Sequence, residues 1–268
     1  MRFEKYQGTG NDFIMIDFVP KHPSELARQI CDRHFGIGAD GLIYPEPSKI
    51  ADIKFNYFNS DGSIAPMCGN GMRCFVKYVL DQKMIDKHQF DVETLAGIIQ
   101  VSYHDQTQEV KINLGEPEYD LGLPHVSEPI MNMEEQALLL DEGMIYFYTI
   151  NLGTLHTIVY VDDDSKIQTI GHALSNHPFF PKLTNVNFVH VKNHHLQEVK
   201  TFERGAGWTL SCGTGVAASA YVSFRLGKTS SKVDTIVPGG KLKVYVEREI
   251  YLEGPAIKIA SGTFEATS

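Results

Sequence analysis

Cys68-Gly69-Asn70-Gly71 and Cys212-Gly213-Thr214-Gly215 are the two stretches from which the fold is read. Each opens an apolar run at helical spacing, Phe75-Val76 with Val79-Leu80 after the first and Val216-Ala217-Ala218-Ser219-Ala220 after the second. Their surroundings match as well. Phe58-Asn59 lies ten residues before Cys68, and Phe202-Glu203 lies ten residues before Cys212. Ala96-Gly97 follows the first motif and Gly239-Gly240 follows the second at a similar distance, each ahead of a strand. Three anchors at matched spacing, with the cysteines 144 residues apart, indicate an internal duplication. The expectation is an α/β (α+β) fold of two pseudo-symmetric domains facing each other across a cleft. The first spans 1–116 and carries Cys68, the second spans 117–260 and carries Cys212, and 261–268 forms a tail.

Working outward, Arg2 to Tyr6 alternates like a strand and Gly8-Thr9-Gly10-Asn11-Asp12 reads as a turn into a second strand, Phe13 to Ile16. Residues 23–34 predict a helix with Pro23 near its start. Gly36, Gly38 and Gly41 punctuate a loop, and Asp52 to Phe58 alternates as a strand. Strands are expected at 89–94, 98–103 and 108–114. Pro117, Pro124 and Pro129 suit a linker over 115–130, Glu134 to Leu140 reads as a short helix, and a second set of strands begins near Met144.

The 268 residues are 43% hydrophobic and 21% charged, a globular composition with enough apolar mass for a sizeable core. Net charge is −9 with no run of Lys and Arg, which argues against nucleic acid and anionic membrane as partners. No stretch approaches the ~20 consecutive apolar residues of a bilayer span, and Met1 to Gly10 lacks the apolar core of a signal peptide. Four cysteines without a C-x-x-C pair make neither a disulfide scaffold nor a metal site. The expectation is a cytoplasmic protein, with Cys31 and Cys74 as buried thiols inside helical runs. Phe13 stands where a dinucleotide fingerprint starting at Gly8 needs its third glycine, so no Rossmann site is expected. His194-His195 reads as a solvated turn.

A cysteine at a helix start, followed by glycines, has backbone N–H groups at hand that bind a carboxylate and favour a thiolate. Two such cysteines on opposite faces of an α-carbon suit stereochemical inversion. One thiolate removes the proton, and the other thiol returns a proton to the far face. The amides of Gly69-Asn70-Gly71 and Gly213-Thr214-Gly215 would hold the carboxylate into which the charge spreads.

Taken together, Lys5-Tyr6-Gln7-Gly8-Thr9-Gly10-Asn11-Asp12-Phe13, His34 to Gly41, Phe58 to Ser63, Cys68 to Cys74, Glu203 to Gly207, Cys212 to Gly215 and Pro238-Gly239-Gly240 resemble the diaminopimelate epimerase family. The resemblance implies a curved, mostly antiparallel sheet around a central helix in each domain, and a homodimer. It also implies chemistry without pyridoxal phosphate, metal or other cofactor. The substrate would be a small amino acid, with LL-2,6-diaminopimelate converted to the meso form on the route to lysine and peptidoglycan. Position by position, Cys68 and Cys212 correspond to the acid/base thiols. Gly69, Asn70, Gly213 and Thr214 correspond to the carboxylate holders at the reacting centre. Asn11, Asn59, Asn185, Glu203 and Arg204 correspond to the groups for the ammonium and the distal carboxylate, the last a bidentate guanidinium or else an ordinary surface ion pair. Where the family reads Gly-Asn-Pro-His this chain has Gly153-Thr154-Leu155-His156, and Trp208 replaces a Glu. His156 is expected to tune the thiols, while Thr154 and Trp208 are candidates for a reshaped distal pocket. Two alternatives stay open: a related racemase with another amino-acid substrate, and a non-catalytic protein whose Cys68 and Cys212 oxidise to a disulfide.

Overall fold

The structure, a computed structural model, describes residues 1–265. The chain forms two compact units, Met1–Asn113 completed by the segment from Glu253 onward, and Leu114–Leu252.

The first unit opens with the hairpin of β1 (Arg2–Gly8) and β2 (Asn11–Met15), then α1 (Pro23–Cys31). Pro23 begins α1, where a missing N–H leaves no bond unmade, and Ala27, Ile30 and Cys31 form its buried stripe. The helix ends at Cys31, three residues before the expected end. β3 (Gly41–Glu46) and β4 (Ile53–Asn59) lead to α2 (Gly69–Asp81). β5 (Gln89–Thr94), β6 (Gly97–His104) and β7 (Glu109–Asn113) complete the run. Residues Gly69 to Val76 are all buried, because sheet strands wrap the helix: α2 packs on β1, β2, β3, β6 and β7. Met72, Cys74, Phe75, Val76 and Val79 supply the apolar side chains that make the first part of the helix interior.

The second unit begins with 114–130. This stretch is not a linker: Leu121, Val126 and Ile130 are buried with Phe147, Phe180 and Phe188 in its core. β8 (Gln136–Leu140) replaces the expected helix and pairs with β9 (Gly143–Asn151). There follow β10 (Leu155–Tyr160), α3 (Ile167–Ser175), β11 (Asn185–Asn193), β12 (Leu196–Glu203), the short β13 (Gly207–Trp208) and α4 (Gly213–Arg225). β14 (Lys232–Val237), β15 (Gly240–Val246) and β16 (Ile250–Pro255) lead the chain back, and β17 (Ile257–Thr263) pairs antiparallel with β1. Hence 253–260 belongs with the first unit rather than the second. The expected tail is strand as far as Thr263, because its backbone completes the open edge of β1. Its residues 266–268 lie outside the described residues.

The two units repeat one topology. β1/β2, β2/β3, β3/β4, β4/β5 and β5/β6 pair antiparallel, parallel, antiparallel, parallel and antiparallel. β9/β10, β10/β11, β11/β12, β12/β14 and β14/β15 do the same in the same order. α1 and α3 fill the first parallel crossover of each unit, α2 and α4 the second. Among the described residues no helix is long and apolar enough to cross a membrane.

Candidate active site

In the first unit the expected residues gather at one end of the sheet. Asn11 begins β2, and Phe13 is in register with Gly41 of β3, which is in register with Asn59 at the end of β4. Gly71 packs against Ile43 and Phe13, so α2 starts over this same end. Cys68 is its N-cap, in extended conformation, and its sulfur accepts the Gly71 N–H at 3.4 Å. Asn70 is buried and its Nδ2 donates to Asn11 Oδ1 at 2.9 Å, while Asn11 Nδ2 donates to Asp40 at 2.5 Å. Asn59 Nδ2 donates to Ser63 Oγ at 2.9 Å.

Behind Asn11 stands an ion network to which the sequence reading assigned no role. Asp12 pairs with Lys5 and Arg33, each at 2.8 Å, and Arg33 also reaches Asp40 at 2.8 Å. Burial alone would raise the Asp12 carboxyl, but bonds and charge from Arg33 and Lys5 outweigh it and hold it below the usual carboxylate range. The network fixes the β1–β2 turn, where Thr9 and Gly10 take positive φ. Arg73, fully buried one turn into α2, donates to Thr9 Oγ1 at 3.0 Å and to the Pro255 carbonyl at 3.3 Å.

The second unit builds the matching end. His156 of β10 is in register with Asn185 of β11, and Val186 with Phe202 of β12. Cys212 is at the N-cap position of α4 and buried, its sulfur 3.7 Å from Thr214 Oγ1. Asn185 bridges two chain segments: its Nδ2 donates to the Leu155 carbonyl at 2.9 Å and its Oδ1 accepts the Arg204 N–H at 3.0 Å. Arg204 is exposed and one guanidinium nitrogen donates to the Lys182 carbonyl at 3.0 Å. Glu203 accepts from Thr209 Oγ1 at 2.6 Å.

Trp208 and His156, both expected at the site, pack inward in the second unit. Trp208 packs at a tilt on Phe188 and edge-to-face on Phe202, with ring centroids 5.7 and 5.6 Å away, and reaches Gly171 of α3. It packs, partly buried, against the apolar core of this unit. His156 is fully buried, which pushes its pKa down to about 3, helped by the charge of Arg204. A neutral imidazole brings no positive charge to a neighbouring thiol at neutral pH. Asn187, buried against Gly215, was missed; its signal was Asn185 and Asn187 two apart on one strand, hence on one face. Cys31 and Cys74 are buried, and burial pushes both thiols up, Cys31 to about 12.

A repeated α/β unit with a cysteine at the N-cap position of a helix in each copy defines the class. Among solved structures the chain resembles a hydroxyproline epimerase from Agrobacterium vitis, with TM-score 0.73, 16% identity, and 98% and 91% of the two chains covered. A probable proline racemase from Agrobacterium radiobacter K84 superposes with TM-score 0.71, 15% identity, and 99% and 93% covered. At such identity these matches establish the fold. The family follows from sequence: the model for diaminopimelate epimerase matches residues 3–119 and 148–259. Diaminopimelate epimerases of Alkaliphilus metalliredigens and of Caldanaerobacter subterraneus subsp. tengcongensis are each 41% identical to it. The first alignment covers 98% of this chain and 97% of the relative, the second 99% and 100%. The chain belongs to the diaminopimelate epimerase family, and is an isomerase.

Proposed function

We propose that the protein interconverts LL- and meso-2,6-diaminopimelate by a two-base reaction in which Cys68 and Cys212 serve as thiolate and thiol. The observation that carries this reading is the cysteine N-cap on the central helix of each repeated unit, in a chain of this family. One thiolate takes the α-proton, the carbanion charge spreads into the α-carboxylate, and the other thiol delivers its proton to the opposite face. Positioned acid and base contribute about 10²–10⁴-fold. Backbone donors of Gly69, Asn70, Gly213 and Thr214 stabilise the charged carboxylate, each preorganised donor giving roughly 10²–10³-fold. Asn11, Asn59, Asn185, Glu203 and Arg204 bind the ammonium and the distal carboxylate. The thiols and these donors supply the chemistry without a cofactor. The enzyme works in the cytoplasm as a homodimer, supplying lysine and peptidoglycan precursors.

The test is proton NMR in D₂O with reduced protein and LL-diaminopimelate beside a panel of L-amino acids. Loss of the α-proton signal and appearance of the meso form with diaminopimelate alone is expected. Exchange confined to another amino acid would overturn the substrate.

A further inference from the structure

Three side chains of the second unit form a relay from its interior to its surface, in the order Asn187, His156, Thr154. Asn187 and His156 are fully buried, and Thr154 is half-buried. Thr154 stands where the family pattern has Asn, and Asn187 had no role in the sequence reading.

The hydrogen bonds assign every proton in the relay. One end of the Asn187 amide lies against a backbone carbonyl, which makes that end Nδ2 and leaves Oδ1 to accept from Thr201 Oγ1 at 3.0 Å. Nδ2 donates to this carbonyl, that of Thr157, at 3.2 Å, and a carbonyl can only accept. The same nitrogen lies 3.3 Å from His156 Nδ1. An amide nitrogen donates and does not accept, so Nδ1 is the unprotonated ring nitrogen. A buried neutral imidazole carries one proton, which must then sit on Nε2. Nε2 is 2.9 Å from Thr154 Oγ1, so the ring donates and the hydroxyl oxygen accepts. The hydroxyl's own hydrogen is therefore directed away from the ring.

We propose that Asn187, acting through His156, is a positioning residue that commits the Thr154 hydroxyl to donate a hydrogen bond to a substrate carboxylate oxygen. A donor turned outward suits a carboxylate, which only accepts. Arg204, the guanidinium assigned above to the distal carboxylate, is tied to the same place. Its backbone N–H is held by Asn185, which also grips the carbonyl of Leu155, between Thr154 and His156. A threonine donor set by the relay thus stands where the family pattern has asparagine. The assignment to a carboxylate rests on the proposed epimerase reading, whereas the proton assignment does not.

The test has two arms. Long-range proton–nitrogen NMR of the intact protein labelled with ¹⁵N-histidine reads the His156 tautomer at neutral pH without any substrate. The Nε2–H form is expected, and the Nδ1–H form or an imidazolium would overturn the relay. Steady-state kinetics with diaminopimelate form the second arm. Thr154→Val should raise KM about tenfold and change kcat less than twofold, with Thr154→Ser restoring KM. Asn187→Asp, whose carboxylate accepts from Nδ1–H and so moves the proton off Nε2, should raise KM comparably although the hydroxyl remains. Combined with Thr154→Val it should add nothing further. An unchanged KM in Thr154→Val would overturn the proposal, as would full additivity of the two substitutions. A wild-type protein inert toward diaminopimelate but carrying the Nε2–H tautomer would sink the substrate reading and leave the relay standing.

Discussion

At Gly215 a single methyl group would lie 2.2 Å from Asn187 Oδ1, an atom that cannot retreat while its amide is bonded to Thr201 and Thr157. Gly215→Ala is therefore expected to lower stability by about 1–3 kcal/mol and to displace the amide from His156. Thermal unfolding reads the first effect, and an unaltered Tm would refute the close packing. The cysteines call for a different measurement. If each thiol serves one face, Cys68→Ala and Cys212→Ala each lose net inversion by at least about 10²-fold while remaining folded. Chiral analysis of the product with circular dichroism of the protein separates chemistry from unfolding. Full inversion by either variant would end the two-thiol scheme. At this scale the sequence was informative where chemistry and backbone coincide, as in a cysteine followed by glycine at a helix start. For Asn187 it offered only the spacing from Asn185, and the importance of the residue arises when β11 is laid against the start of α4. It did not show that Trp208 packs on Phe188 and Phe202, since a tryptophan near a motif does not reveal its ring neighbours.

At the scale of elements, the β1–β2 turn and the loop after α1 are held together by Asp12, Asp40, Lys5 and Arg33. The folded Asp12 carboxyl titrates below its unfolded value, so its stabilisation is complete above the ordinary carboxylate pKa, near 4. It fades as pH falls through the lower, folded value. Between pH 7 and 5 this site contributes no slope, and below about 4 stability drops. Asp12→Asn should lose on the order of 1 kcal/mol at pH 7, modest because Arg33 is half-exposed, and should flatten the acid limb. Denaturant titrations at pH 3 to 7 check both, and parallel curves for the two proteins would exclude the network as their cause. The same scale explains which elements could be read. β4 and β5 alternate polar and apolar residues, as half-buried strands do. β8 was mistaken for a helix because Leu139 is 72% exposed on its outer face, which fills the polar half of the alternation with leucine. α3 carries Ile167, Ile170 and Leu174 at helical spacing, yet Gly171 in its middle, required by the Trp208 ring beside it, weakens the pattern.

Across the whole molecule the duplication was visible through three anchors, but the boundaries were not. A boundary drawn where prolines cluster assumes that each half is continuous, whereas β17 belongs to the unit that begins the chain. Phe264 and Met1 exchange backbone hydrogen bonds, and Phe264 packs on the cluster containing Phe3 and Ile14. A protein ending after Ala256 should therefore lose amide protection in β1 and β2 and keep it in β10 to β12, measured by hydrogen exchange. Uniform loss in both units would show that they unfold as one body.

The pairing of β17 with β1 also orders events during biosynthesis. Synthesis runs at about 5–20 residues per second. The ribosome makes β1 before the rest of its unit, but the strand that closes its edge emerges only after all of Leu114–Leu252. The half of the protein translated second is thus the half completed first. Throughout that interval the nascent first half offers an open strand edge to whatever shields unfinished chains.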